Sequence, residues 1–168
     1  QIAFSYKNLS DLKIVVVRPT IVYGEYCNPQ QDSFLKLCRA VKRGYFLHFG
    51  YNYLSSYVYA GDVAAACLVV VRDARTGGGC YIVNEPMPLI TFVAEMAKIM
   101  GVKSPGVLPK PFGFILENIL RKMERFGSLY NYTTYSIERI LDLGFSLPYG
   151  YRIGLRRTIQ WYEENNLL

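Results

Sequence analysis

The sequence contains a single histidine, His48, and no closely spaced pair of cysteines. Its four cysteines are Cys27, Cys38, Cys67 and Cys80. Their spacing does not match that of zinc ligands, so we expect no metal site, a structural role for His48 and the reduced thiols of a cytoplasmic protein. The longest apolar run, Val63 to Val71, is about half of the ~18 to 20 residues that cross a bilayer. The sequence therefore predicts neither a metal centre nor a transmembrane span.

Two short motifs of enzyme chemistry are also absent. No G-x-G-x-x-G turn follows a strand, and the run Gly77 to Gly79 precedes a strand instead of opening a helix. No Y-x-x-x-K occurs, the spacing that places a tyrosine acid/base and a pKa-lowering lysine on one helix face. The sequence therefore lacks a phosphate cradle and an acid/base pair of these two kinds, and we assign no catalytic residue in it.

Basic residues exceed acidic ones, and the formal net charge is +6. They recur in three segments, Lys36 to Arg43, Arg121 to Arg125 and Arg152 to Arg157. An anionic partner is one interpretation, and a set of solvated helix faces is the other. Because no nucleic-acid-binding motif accompanies these segments, we predict no nucleic-acid partner.

The first 100 residues alternate between strand and helix patterns. Leu12 to Arg18 is a continuous β-branched run, typical of a strand covered on both faces in a parallel sheet. Asp32 or Ser33 is expected to cap an amphipathic helix that ends at Gly44. The later predicted elements are aromatic strands at Tyr45 to Phe49 and Ser56 to Tyr59, a fully buried helix after Asp62, a strand at Cys80 to Val83, and a helix from Thr91 to Gly101. This alternation predicts an α/β fold.

The region after Gly101 is predicted to be mostly helical. Three helices are expected, at Phe112 to Phe126, Thr134 to Leu143 and Gly154 to Asn165. The apolar face of the first helix is suited to lining a substrate pocket, but it suits core packing equally well. Peripheral contact with a membrane surface, with Arg121, Lys122 and Arg125 toward lipid head groups, is a third alternative.

Four segments in the same order resemble a known family. They are "VVVRPTIVYGE", "GYNYLSSYVYAGDVAAACLVVV", "GGGCYIVNEP" and "LGFSLPYGYRIGLRRTIQWYEENNLL". Together they resemble the C-terminal half of extended short-chain dehydrogenase/reductases, in the 3β-hydroxysteroid dehydrogenase and dihydroflavonol reductase-like branch of the NAD-dependent epimerase/dehydratase family. The resemblance implies the C-terminal part of a doubly wound Rossmann-type sheet with a mostly helical substrate-binding region.

The resemblance also implies a ligand site where the strand before Pro19 ends. Ligands of doubly wound sheets bind beyond the carboxyl ends of the strands. In this family the turn there passes the nicotinamide end of NAD or NADP, which implies a wall of four cofactor-binding residues. These are Pro19, Thr20, Ile21 and Val22. Tyr23 would face the substrate, with Ser55 as a second substrate-binding residue, whereas the plain alternative is a strand-end turn over core.

The division of the chain follows from the same resemblance. Residues 1–100 are expected to belong to the NAD(P)-binding domain, with a substrate-region insertion at about 25–62, and residues 101–168 to the substrate-binding region. In the family the glycine turn and the Y-x-x-x-K lie upstream, so Gln1 to Asp11 would be the tail of the helix that carries the latter. The chain is therefore expected to be the downstream half of an enzyme, inactive alone.

Departures from the family pattern bear on the substrate. Sugar-nucleotide members usually carry Asn at the position of Ile21, Pro at that of Glu25, and a diphosphate-gripping Arg at that of Ser55. The absence of the Asn and the Arg argues against a nucleotide-sugar substrate. It favours an oxidoreductase acting on a hydroxyl or carbonyl of a small hydrophobic molecule. A nucleotide-sugar epimerase or dehydratase of the same fold, and a non-catalytic binding or scaffold protein, are the alternatives, and a homodimer is compatible with each. Asp62 is interpreted as a helix cap, with a catalytic carboxylate as the alternative.

Overall fold

The computed structural model describes residues 13–48, 54–76, 79–107 and 135–168. Within these ranges, strands and helices alternate along the first 100 residues and helices follow, which confirms the predicted α/β class. The elements are β1 (Val16–Pro19), β2 (Ile21–Tyr23), α1 (Ser33–Lys42), β3 (Leu54–Ser55), β4 (Tyr57–Tyr59), α2 (Ala60–Arg72), β5 (Cys80–Val83), β6 (Met87–Pro88), α3 (Leu89–Ile99), α4 (Glu138–Leu141) and α5 (Gly150–Glu164).

The strands pair in the parallel manner of a doubly wound sheet. β1 pairs with β5, with Pro19 opposite Val83, and β2 pairs with β4. Parallel partners need a crossover connection, and α2 lies on the path from β1 to β5. The short strands β3 and β6 form an antiparallel pair. The carboxyl ends of β1 and β5 consequently lie side by side at one edge.

Helix α1 forms as its local sequence predicts. Asp32 is the N-cap, and its carboxylate accepts a 2.9 Å hydrogen bond from the backbone N–H of Phe34. Gly44 adopts a φ of +72° just beyond the helix, a conformation that costs glycine little. The hydroxyl of Tyr162 in α5 also donates to Asp32. One carboxylate therefore caps α1 and ties it to α5.

An aromatic cluster forms the main core. Tyr23 stacks on Phe34 with ring centroids 4.5 Å apart, and Tyr57 stacks on Phe92 at 5.3 Å. Leu155, Ile159 and Tyr162 of α5 are buried in the same cluster. A second, mainly aliphatic cluster lies between α2 and β5 and includes the following α4 region; its buried members are Val58, Ala66, Val70, Tyr81, Val83, Ile140 and Phe145. β4 therefore lies between the two clusters, because its residues contribute to both.

The prediction that α2 is buried all round is wrong. Only Asp62, Ala66 and Val70 are buried in it. Four apolar residues, here called the apolar stripe, are exposed at i, i+3, i+4 and i+7: Ala64, Cys67, Leu68 and Val71. Within the part of the chain that the structure describes, the helix packs against β1, β2, β4 and α5. Its opposite face is apolar in sequence but meets solvent.

Three further element predictions need correction. β1 begins at Val16, and its residues are half-buried or exposed, so it is not covered on both faces. Tyr45 to Leu47 form no strand, and His48 lies in an isolated bridge with Val107 instead of an extended strand. α3 begins at Leu89 with Pro88 as N-cap, so Thr91 lies inside the helix. Two of these errors concern the end of an element, where sequence patterns are least precise, and the third is a strand that does not form.

The last two helices differ from the predicted bounds. α4 is a single turn from Glu138, and α5 begins at Gly150, four residues before the predicted start. Several predictions fall outside the described residues. They are the helix tail at Gln1 to Asp11, the helix at Phe112 to Phe126 with its membrane alternative, the last residue of the predicted strand, Phe49, and the first residue of the predicted helix, Thr134. In the described part, no helix is long and apolar enough to cross a membrane.

Candidate functional site at the strand exits

Thr20 joins the ends of β1 and β5. Its backbone N–H donates to the carbonyl of Val83 at 3.1 Å. Its hydroxyl donates to the side-chain oxygen of Asn84 at 3.0 Å and lies 3.5 Å from the Val83 carbonyl. Asn84 is only 2% exposed. The turn after β1 is therefore fastened to the residue that leaves β5, at the sheet edge where ligands of this architecture bind.

The other three residues of the predicted cofactor wall lie beside Thr20. Pro19, Ile21 and Val22 are exposed, although Ile21 and Val22 belong to β2. The backbone N–H of Ile21 donates to the carbonyl of Ser56 at 2.9 Å, which holds β2 against β4. Three of the four predicted residues are thus accessible and apolar, and Thr20 between them is half-buried. Their assignment to cofactor binding stays a prediction.

Tyr23 is packed inside the aromatic cluster. Its ring is buried among Phe34, Tyr57, Tyr59 and Phe92. Its hydroxyl lies 3.4 Å from the carbonyl oxygen of Tyr151, to which it donates, and burial raises its pKa above the usual range. Tyr23 is therefore neutral, and it packs in the core and contacts α5. Its contact with substrate stays a prediction.

Ser55 is buried in β3, opposite Met87 of β6. Among the described residues its hydroxyl has no hydrogen-bond partner. A buried serine is too short to grip a diphosphate as an arginine does. Its predicted role in substrate binding stays a prediction.

Three side chains from the strand exits hold the first turn of α5, and we call them the α5 clamp. Asp62 accepts hydrogen bonds from the backbone N–H groups of Tyr149 and Gly150, at 2.9 and 3.1 Å. The Glu85 carboxylate lies near the backbone N–H of Tyr151, which opposes the rise of its pKa, and Tyr23 donates to the Tyr151 carbonyl. Asp62 is thus a cap, as interpreted from the sequence, but it caps α5 and not its own helix.

Burial dominates the electrostatics of the α5 clamp. It raises the pKa of Asp62, and the two backbone N–H groups oppose this shift. Burial also raises the pKa of Glu85, and the neighbouring Asp62 charge adds to that rise. The N-terminal end of a 15-residue helix carries partial positive charge, so it is a favourable place for two carboxylates.

Glu25 belongs to a polar group beside this turn. The hydroxyl of Tyr59 donates to the Glu25 carboxylate, 2.9 Å from each oxygen. Arg157 of α5 lies near the same hydroxyl and opposes the rise of the Tyr59 pKa that burial causes, and its guanidinium lies over the ring of Tyr149, 5.1 Å from its centre. Glu25 therefore accepts a hydrogen bond that the proline expected here in sugar-nucleotide members could not accept.

Sequence reasoning missed Asn84 and Glu85 as site residues. The available signal was an amide and a carboxylate directly after a predicted strand, at the edge already chosen for Thr20. Among the described residues, no group of three or more His, Cys, Asp or Glu side chains is placed to hold a metal ion. The four cysteines are free thiols, and burial raises the pKa of Cys38 above its usual range.

The parallel pairing of β1 with β5 and of β2 with β4 defines the chain as part of a doubly wound α/β fold. Residues 3–110 match the 3-beta hydroxysteroid dehydrogenase/isomerase family. The chain belongs to this family, which confirms the resemblance read from its motifs. No curated protein sequence matches the chain at a significant level.

Several solved structures share the fold. The Bordetella bronchiseptica enzyme WbmF in complex with NAD+ is 20% identical, with a TM-score of 0.68 over 98% of this chain and 50% of that one. UDP-glucose 4-epimerase from Thermotoga maritima with UDP-glucose is 20% identical, with a TM-score of 0.67 and the same coverage. A nucleoside-diphosphate-sugar epimerase from Pseudomonas aeruginosa is 16% identical, with a TM-score of 0.73 over 99% of this chain and 53% of that one. The chain spans about half the length of these structures.

Proposed function

We propose that the protein containing this chain is an NAD(P)-dependent oxidoreductase that acts on a hydroxyl or carbonyl of a small hydrophobic molecule. The observation that carries the proposal is the exposure of Pro19, Ile21 and Val22 beside Thr20, at the joined exits of β1 and β5, where the cofactor wall is predicted. Family membership supports it. The wall is apolar enough to accept a nicotinamide ring, and a bound nicotinamide gives or accepts a hydride.

Cofactor use is part of the same proposal. Solved structures of this fold hold NAD, as in WbmF. The residues described here fit the nicotinamide end only, so the pyrophosphate cradle and the acid/base pair would come from the upstream half expected for this family. The 168-residue chain alone is accordingly expected to show no cofactor-dependent turnover. Residues 1–100 would serve the cofactor and residues 101–168 the substrate, with about 25–62 inserted as a substrate region.

The substrate preference rests on two departures. A buried Ser55 and an apolar Ile21 offer no grip for a diphosphate. The specific observation that favours the alternative, nucleotide-sugar epimerisation, is the fold likeness to enzymes with that activity. A scaffold protein that has lost its chemistry is the second alternative. It predicts no turnover by either the 168-residue chain or the full-length protein.

One variant pair tests the cofactor wall in the full-length protein. Ile21→Trp should fill the wall and weaken NAD(H) or NADP(H) binding about tenfold or more, or about 1.4 kcal/mol. Ile153→Trp is the matched control, because Ile153 is 45% exposed on α5 and Ile21 is 39% exposed. Cofactor fluorescence titration measures both. Equal affinity of the two variants contradicts the wall assignment.

A second pair tests the predicted substrate contact of Tyr23. Tyr23→Phe keeps the packed ring and removes only the hydroxyl, so the fold should lose at most about 1 kcal/mol. If the hydroxyl also serves substrate, kcat/KM should fall severalfold while cofactor affinity is unchanged. Tyr57→Phe, in the same aromatic cluster, is the control. Wild-type kinetics in Tyr23→Phe at full stability would restrict Tyr23 to packing.

Turnover assays separate the reaction classes. The full-length protein is expected to change the absorbance of the nicotinamide cofactor with hydrophobic alcohols or ketones and not to interconvert UDP-sugars. Epimerisation of a UDP-sugar without net cofactor reduction would overturn the oxidoreductase assignment in favour of the alternative. Absence of both activities, together with absence of cofactor binding, would favour the scaffold.

A further inference from the structure

We propose that Asn84 is a positioning residue for the cofactor, because its hydrogen bond to Thr20 sets the shape of the wall against which the nicotinamide ring binds. This inference rests on the proposed function and extends it to a residue outside the predicted site. It concerns how the wall is held, since Asn84 itself is buried and acts through Thr20.

Thr20 is the one residue of the wall whose side chain can hydrogen-bond. Pro19, Ile21 and Val22 have apolar side chains, so only packing and backbone bonds orient them. Among the described residues, the hydroxyl of Thr20 is within reach of two acceptors, the Asn84 oxygen at 3.0 Å and the Val83 carbonyl at 3.5 Å. The shorter bond is the stronger one, so Asn84 decides the rotamer of Thr20.

Asn84 is itself held on both sides. Val83 before it lies in β5, paired with Pro19, and Glu85 after it lies near the backbone N–H of Tyr151 in the first turn of α5. An amide that is buried without partners costs about 1–3 kcal/mol, so the bond to Thr20 is strongly favoured. Two consecutive residues after β5 therefore connect the wall to α5: Asn84 contacts Thr20, and Glu85 lies near the first turn of α5.

The consequence concerns ligand geometry more than global stability. The backbone bonds of Thr20 to Val83 and of Ile21 to Ser56 do not depend on this side-chain bond, so its loss frees the Thr20 side chain without opening the aromatic cluster. A gap of about 0.5–1 Å between packed surfaces already loses about a quarter to a half of their dispersion attraction. A small shift of Thr20 is thus expected to weaken cofactor binding where the fold remains intact.

The test is a double-mutant cycle in the full-length protein. Thr20→Val and Asn84→Ala should each weaken NAD(H) or NADP(H) binding by about three- to tenfold, and the double variant should bind no more weakly than the weaker single variant. Thr20→Ser keeps the hydroxyl and should bind as wild type. Thr158→Val is the matched control, because the Thr158 hydroxyl donates to Gly154 within α5. That control should leave cofactor affinity unchanged.

The readouts are the cofactor dissociation constant, from fluorescence titration, and the melting temperature of each variant. Non-additive losses of affinity with rescue by Thr20→Ser support the positioning role. Unchanged affinity with lowered melting temperatures, or losses that simply add, overturn it and leave a structural hydrogen bond. If the wild-type protein binds neither cofactor, the proposed function is wrong and the positioning role falls with it. If wild type binds and the variants match it, only the positioning role is wrong.

Discussion

The carboxylate of Asp62 bonds to the backbone N–H groups of Tyr149 and Gly150, so a residue of α2 caps α5 from 87 positions away. Asp62 is fully buried. The first turn of α5 has no local side-chain cap. The start of the last helix is therefore determined by a tertiary contact at the strand exits.

Asp62→Ala is expected to lower the free energy of unfolding by about 2 kcal/mol, since it leaves two backbone N–H groups at a helix N-terminus without acceptors. Urea denaturation measures this loss. Asp142→Ala is the control, because Asp142 is exposed, and it should change stability by less than about 0.5 kcal/mol. Equal losses in both variants would contradict the capping role.

The pH dependence of stability tests the electrostatics of the same carboxylate. The pKa of Asp62 is raised above its ordinary value of 3.8, so the folded state retains the proton longer than the unfolded chain. The stability of the wild type relative to Asp62→Asn should consequently be greatest below the ordinary pKa and fall as pH rises through the raised one. Urea midpoints between about pH 3.5 and about pH 6.5 measure this difference. A difference that grows with pH would show that the N–H groups outweigh burial.

Gly154→Ala should destabilise the protein by about 1–3 kcal/mol through overpacking. A Cβ at Gly154 would lie 2.7 Å from the Tyr23 hydroxyl and from a ring carbon of Tyr59. Gly106→Ala is the matched control, because a Cβ there meets nothing within 4 Å. That control should be neutral or slightly stabilising. Thermal melting of the two variants distinguishes a close helix approach from a general intolerance of alanine.

The apolar stripe of α2 predicts self-association of the 168-residue chain. Leu68→Lys removes a large exposed side chain and adds charge, so it should shift the chain toward monomer in light scattering. Leu141→Lys is matched in chemistry and exposure, since Leu68 is 56% and Leu141 47% exposed, but it lies on α4. A similar shift in both variants would mean that added charge, and not the stripe, controls association.

The sequence correctly predicted an element when the residues that start, pack and end it are close together in the chain. Asp32, the apolar period of α1 and Gly44 lie within a dozen residues, and the helix forms as expected. The start of α5 was misplaced because its cap, Asp62, is distant in sequence. The exposure of Leu68 was missed because periodicity describes the apolar faces of a helix and not what packs on them.

The same distinction applies to the candidate site. The rule for parallel sheets located Pro19 to Val22 at an accessible edge, as the structure has them. The rule could not place Asn84 against Thr20, because that contact depends on the register of β1 with β5. Nor could it foresee that Tyr23 turns into an aromatic cluster assembled from four other elements.

The sequence separation of Asp62 and Tyr149 also determines when their contact can form during synthesis. At about 5–20 residues per second, the 87 residues that separate Asp62 from Tyr149 take several seconds to emerge from a ribosome. Until then the carboxylate has no helix to cap, and burying it as a charge would be costly. The strand exits therefore acquire their final geometry only when the last helix has been made, so the candidate site is among the latest parts of the chain to become complete.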